Sequence, residues 1–450
     1  MGHRARYAWA LLFLSGLLLH TGGQAPKPKK LPNVLILTVD TLRADRLSGY
    51  GYERNTSPNI DKLMREGTRF EQARTVEPLT GPALCSMLTS AYPHQHGASR
   101  NGLRLRAALP SLPKALQAYD YRTAAFVGNW TLRDKLSGLA EHFEHYDEIL
   151  SRRRWFGLVK GEATADDLND AFDDWLADHA KSQSDRPFLA WVHYVEPHAP
   201  YRNHKDFHKQ LGYPAGKSLS AAERYDTEIA DVDAAIGELL AAAGEKIDLD
   251  NTIILFAADH GESLGEHDYW GHGRHLYEPT LHIPMAIRWP KHVPTGTVEQ
   301  DALLIDLAPT VMGLIGHGET PFEGFDWSGV LRGEGEAPEN RVTRYQAHRG
   351  AVLSKHDSDL ARKAGLLEVG MIANDKKEIF RIAKNRRWLF DLSDDPLELS
   401  SLGPTSSEPT EGLVGWMKEV YEGLDEFDVS IPAPLDEESA EALRSLGYVD

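Results

Sequence analysis

Chemistry in this 450-residue chain is concentrated in a few short stretches, the first of them Pro78-Leu79-Thr80-Gly81-Pro82. Gly-Pro fixes a turn there, and the apolar run from Ala83 to Leu88 is suited to a buried helix. The Thr80 hydroxyl is therefore expected at the mouth of a helix N-terminus. Backbone amides and the positive end of the helix dipole favour an anion at such a place, either a bound oxyanion or a developing alkoxide. Thr80 is a candidate nucleophile on this reading; the competing reading makes it only a helix cap.

A second stretch, Asp259-His260-Gly261, closes the apolar run Thr252 to Ala258. An adjacent carboxylate and imidazole at a strand end, with a glycine that lets the backbone approach closely, suit a hard cation or zinc. Asp40 closes another apolar run, Asn33 to Val39, and is a second strand-end carboxylate or else a helix-capping aspartate. His198 lies between Pro197 and Pro200 after the run Phe188 to Tyr194. The prolines hold it in an extended loop, facing a substrate or serving the loop alone.

The elements that must carry these residues are short buried strands and the helices that cover them. Runs 33–39, 123–127, 187–194, 252–258 and 283–290 read as strands, and 221–243 repeats apolar residues at helical spacing through Ile229, Val232, Ile236, Leu239 and Leu240. Alternation of this kind gives an α/β fold, a doubly wound and mostly parallel sheet whose carboxyl edge is where ligands bind. Ser57 and Pro58 look like the cap and first residue of another helix. Residues 324–340 are rich in Gly, Glu and Pro, and a boundary is expected there.

Composition narrows the class. A formal charge of -18 disfavours wrapping nucleic acid, while 41% hydrophobic and 26% charged residues suit a globular protein with a sizeable core. Arg4 and Arg6, then an apolar run from Trp9 to Leu19, then small residues to Ala25, read as a signal peptide. Residues 26–32 follow as a linker, and the mature protein is expected to be periplasmic or secreted rather than anchored. Cys85 is the one cysteine, so no intramolecular disulfide can form; it reads as a packing residue.

Several motifs, in order, resemble the sulfatase family of the alkaline phosphatase superfamily. They are Asp40-Thr41-Leu42-Arg43-Ala44-Asp45, Ser57-Pro58-Asn59-Ile60-Asp61, the ending Leu88-Thr89-Ser90-Ala91-Tyr92-Pro93, Glu196-Pro197-His198-Ala199-Pro200-Tyr201 and Asp259-His260-Gly261-Glu262. The resemblance implies a catalytic domain over 33–325 and a small C-terminal α+β subdomain over 326–450. It implies that Asp40, Asp259 and His260 hold one divalent cation; mostly oxygen ligands suggest calcium, with magnesium or manganese also fitting. It implies further that His198 serves the leaving-group oxygen as general acid. His272, with Arg274 as second choice, matches the residue that holds the tetrahedral anion, and His94 and His96 fall to the surface or to the surroundings of the site.

Three stretches depart from the family pattern. Thr41 stands where many members have a second acidic residue, and Asn129 and Thr131 replace the Lys and His that contact the sulfate. Thr80-Gly81-Pro82-Ala83-Leu84 lacks both the Cys or Ser that is converted to formylglycine and the arginine of that signature. A threonine nucleophile is what phosphodiesterase and phosphoglycerol-transferase relatives use. The expected activity is therefore hydrolysis of a sulfate or phosphate-type ester of a small molecule, glycan or lipid. A phosphodiesterase or phosphonate ester hydrolase, or a phosphoglycerol-type transferase, is the alternative, and a catalytically impaired sulfatase-like binding protein is the second.

Overall fold

The computed structural model describes residues 31–150, 153–154, 159–160, 162–182, 186–318, 320–350, 365–402 and 409–425. The signal-peptide reading of 1–25 and the C-terminal stretch 426–450 lie outside them. At the centre, strands β1 (Asn33–Val39), β5 (Phe188–Tyr194) and β6 (Thr252–Ala258) run side by side and parallel. Every residue of the three except Asn33 is buried, as a sheet covered on both faces requires.

Five more strands complete the sheet: β2 (Thr68–Arg74), β3 (Arg122–Val127), β4 (His145–Glu148), β7 (Met285–Arg288) and β8 (Gly296–Leu303), in the order β8-β2-β7-β6-β1-β5-β3-β4. Only β7 is antiparallel to its neighbours among these described strands. The sheet is thus mostly parallel as expected, but β2, β4 and β8 were not legible as strands. Their burial is mixed, and β8 places acidic and polar residues at the sheet's edge.

Helices cover both faces. In α4 (Ala221–Gly244) the expected apolar stripe is buried at Ile229, Val232, Ile236 and Leu239, and Ser220 caps its start by accepting the Glu223 amide. In α1 (Pro58–Arg65) the expectation is only half met. Pro58 opens the helix, but the Ser57 hydroxyl donates to Asp61 Oδ1 at 2.8 Å instead of capping.

A separate antiparallel sheet of β9 (Thr343–His348), β10 (Leu366–Ala373), β11 (Lys376–Arg381) and β12 (Arg386–Asp391) packs under α6 (Glu411–Asp425) through Val369, Phe380, Leu413, Trp416 and Val420. Buried charge joins it to the main sheet. Arg74, at the end of β2, pairs with Glu278 at 2.9 Å, and the fully buried Lys377 of β11 reaches Glu278 at 2.8 Å and Glu398 at 2.7 Å. No helix among the described residues is long and apolar enough to cross a membrane.

Candidate active site

Strand register decides where the site lies. Val39 is level with both Tyr194 and Ala258, so the chain leaves all three central strands at one height. Asp40 and Asp259 emerge there side by side, and the loop bearing His198 emerges beside them. The turn after Asp40 puts Thr41 at φ 57, an uncommon conformation for a β-branched residue. In that conformation its amide donates to Asp259 Oδ1 at 3.1 Å and its carbonyl accepts from Tyr225 Oη at 2.6 Å.

The three expected metal residues come together. Asp40 Oδ1 lies 3.8 Å and Asp259 Oδ2 3.4 Å from His260 Nε2, all three residues fully buried. Neither of those carboxylate oxygens has a hydrogen-bond partner. His260 Nδ1 donates to the Gly261 carbonyl at 2.9 Å, so the proton sits on Nδ1 and the Nε2 lone pair faces the carboxylates.

Electrostatics point the same way. Burial, and then the charge of Asp259, push the Asp40 carboxyl well above its ordinary range. Burial raises Asp259 to about 7 against the amides of Thr41 and His260, and burial with the neighbouring His272 holds His260 well below the usual imidazole value. Two crowded carboxylates and a neutral imidazole, with oxygens left without a protein partner in a buried pocket, are a donor set that fits a divalent cation.

Thr80 opens α2 (Thr80–Thr89), whose ten residues are all buried. Leu79 holds the capping position, so the Thr80 side chain does not cap the helix. Its Oγ1 lies 3.3 Å from His260 Nε2, on the edge of the carboxylate pair. His272 lies beside His260 with ring centroids 4.5 Å apart and the planes tilted by 35°, its ring centroid is 5.3 Å from that of His198, and it is held by Glu262 at 3.1 Å from Nδ1. All six expected site residues thus converge.

Other expectations change. His94 and His96 are buried, not superficial: His96 Nδ1 accepts the Ala98 amide and Nε2 meets Ser86 Oγ at 3.0 Å, while His94 packs against Tyr92 and Trp416. Asn129 donates its side-chain amide to Asp40 Oδ2, and its carbonyl oxygen is fixed by Thr131 N and Oγ1 at 2.8 Å. Leu84 and Cys85 are buried in the helix interior, with burial pushing the thiol up to about 12.

Asn101, which the resemblance assigns with Gly102 only to the wall of the site, has a definite role. Its Oδ1 accepts the Gly81 amide at 2.9 Å, and its buried Nδ2 has no partner. A β-carbon on residue 81 would lie 2.7 Å from that Oδ1, so Gly81 is needed for the approach. The only signal was an Asn-Gly pair in a loop. A second trio, His204, Glu228 and Asp231, also brings ligand types together. There each ring nitrogen faces its own carboxylate, 3.0 Å to Glu228 and 3.3 Å to Asp231. Burial opposes the charge, but those hydrogen bonds raise His204 to about 10, which marks an ion pair.

A mostly parallel sheet with a carboxylate pair, an imidazole and a helix-mouth hydroxyl along its carboxyl edge is the arrangement of an α/β ester hydrolase, with a donor set suited to a cation. The sulfatase family profile matches residues 32–317, and the chain belongs to the sulfatase family; it is a sulfatase-family hydrolase. The C-terminal profile of N-sulphoglucosamine sulphohydrolase matches residues 265–410. The chain is 24% identical to the N-acetylglucosamine-6-O-sulfatase of Bacteroides thetaiotaomicron, over 87% of this chain and 86% of that one. It is 25% identical to human arylsulfatase A, over 90% and 88%. Among solved structures, a complex with the substrate D-glucosamine-2-N,6-O-disulfate superposes with a TM-score of 0.66 at 20% identity, covering 89% of this chain and 99% of that one. The phosphonate monoester hydrolase of Agrobacterium radiobacter superposes with 0.64 at 18%, covering 88% and 96%.

Proposed function

We propose that this protein is an exported, cation-dependent hydrolase of sulfate or phosphate-type esters that uses unmodified Thr80 as nucleophile. The observation that carries the reading is the position of Thr80 Oγ1, at a helix mouth and 3.3 Å from His260 Nε2, beside two unpaired carboxylate oxygens. Asp40, Asp259 and His260 would hold the ion, with calcium the first choice. When bound it supplies positive charge that lowers a hydroxyl pKa and neutralises the transferring group.

Thr80 Oγ gives its proton up to solvent water and attacks the sulfur or phosphorus, and the bond to the leaving alcohol oxygen breaks. His198 gives that oxygen its proton. Because His198 Nδ1 already faces the Ala199 carbonyl at 2.8 Å, the ring must enter the step as imidazolium to donate from Nε2. His272, oriented by Glu262, faces the same space and would hold an anionic oxygen of the transferring group. Water then attacks the sulfur or phosphorus of the threonine ester and passes a proton to the now neutral His198; the bond to Thr80 Oγ breaks, and that oxygen takes a proton back from solvent.

The nucleophile favours phosphorus. A formylglycine hydrate releases sulfate by breaking its own carbon-oxygen bond, whereas a sulfated threonine needs a second attack at sulfur. Leu84 stands where the maturation signature has arginine, and it is buried. The names of the relatives favour sulfate esters of sugars and aryl groups. Turnover measured side by side on aryl sulfates, phosphate diesters and phosphonate esters decides between them. Phosphodiesters or phosphonates are expected to lead; a fast sulfatase inert to phosphoesters would reverse the assignment.

A further inference from the structure

Asp40 has two oxygens in different surroundings. Oδ1 faces His260 and has no hydrogen-bond partner, whereas Oδ2 accepts the Asn129 amide and lies 3.9 Å from His193 Nε2. His193 is fully buried on β5, and its Nε2 has no hydrogen-bond partner. Its other nitrogen, Nδ1, is 2.9 Å from the hydroxyl of Thr38 on the neighbouring strand β1, and Trp191 Nε1 donates to the same hydroxyl at 2.8 Å.

The order of this chain is set by what each group can do. Indole N–H only donates, so it occupies a lone pair of Thr38 Oγ1. The Thr38 proton is then available to His193 Nδ1, which leaves the imidazole proton on Nε2, turned toward the Asp40 carboxylate. The strands make this possible, since Thr38 is level with His193 and Asp40 follows two residues on, on the same side of the strand.

We propose that His193 is a positioning residue for Asp40: the relay Trp191, Thr38, His193 acts with Asn129 on Oδ2 and so presents Oδ1 to the cation. This rests on the reading that Asp40 holds a cation. At a 3.9 Å separation His193 acts on Oδ2 by the direction of its N–H dipole. Groups that orient a ligand from behind typically govern about 10- to 100-fold in metal affinity.

The test is titration of chelator-treated full-length protein with Mn²⁺, followed by electron paramagnetic resonance, with thermal melting to check the fold. His193→Asn, which keeps an amide near the Nδ1 place and removes the group facing Asp40, is expected to weaken Mn²⁺ binding about 10-fold or more. His193→Gln, whose amide reaches the Nε2 place, is expected to stay within a few-fold of wild type. Thr38→Val is expected to weaken binding as His193→Asn does. Wild-type affinity in a folded His193→Asn overturns the proposal, and so does an equal loss in the Asn and Gln variants, which would make the ring a space-filler. Absence of Mn²⁺ binding in the wild type would instead overturn the cation reading itself.

Discussion

Thr80 Oγ1 and His260 Nε2 are 3.3 Å apart although 180 residues separate them in the chain. The contact joins a helix mouth to a strand end. It sets the hydroxyl against the donor set of Asp40, Asp259 and His260, so replacement of Thr80 should separate catalysis from cation binding. Thr80→Ala is expected to lower turnover by several orders of magnitude, as loss of a covalent nucleophile does, while metal content stays unchanged or falls modestly. Steady-state kinetics and elemental analysis on the same preparation check both halves. Full activity of Thr80→Ala on every ester would remove the nucleophile assignment.

Cation affinity should rise with pH. Burial and the charge of Asp259 raise Asp40, burial brings Asp259 to about 7, and both must be deprotonated to act as ligands. Protons should therefore be released on binding, and the apparent affinity should fall as pH drops through about 7. Calorimetry in buffers of different ionisation enthalpy measures the proton count. Affinity independent of pH between 5 and 8 would show that other groups hold the ion.

Lys377 is fully buried between Glu278 and Glu398 where the two sheets meet. Lys377→Met leaves buried carboxylates without their cation and is expected to cost about 3–5 kcal/mol of stability. The double variant Lys377→Met/Glu398→Gln should recover part of that loss, because Arg74 still serves Glu278. Denaturant unfolding of the three proteins makes the comparison.

His204 ties the loop that carries His198 to helix α4, facing Glu228 and Asp231. Its pKa of about 10 in the folded chain lies above the ordinary value of about 6.5. The stabilisation it gives is therefore complete below about 6.5 and is lost as pH rises through about 10. The stability difference between wild type and His204→Gln should shrink across that window. A difference that grows with pH would contradict the ion pair.

Export is expected to remove the basic and apolar leader, leaving a chain that starts near Pro26. Intact-mass measurement of the exported protein reads the new N-terminus. Retention of residues 1–25 in a membrane fraction would indicate an anchor.

By itself the sequence determined the central strands, the covering helix and the strand-end residues Asp40, Asp259 and His260. These rest on local chemistry, since continuous apolar runs end abruptly at a polar residue. It also determined the helix at Thr80, because Gly-Pro and an apolar run act within a few residues. The edge strands β4 and β8, and β2 just inside β8, escaped because their burial depends on what packs against them, not on an apolar run of their own. Which carboxylate oxygens remain unpaired, and that Asn129 serves Asp40, depended on strand register. Nothing in the sequence pairs Thr38 with His193, whose contact follows from the alignment of β1 and β5. Only the tertiary structure could decide these, because each is a contact between segments whose relative height is set by hydrogen bonding across the whole sheet.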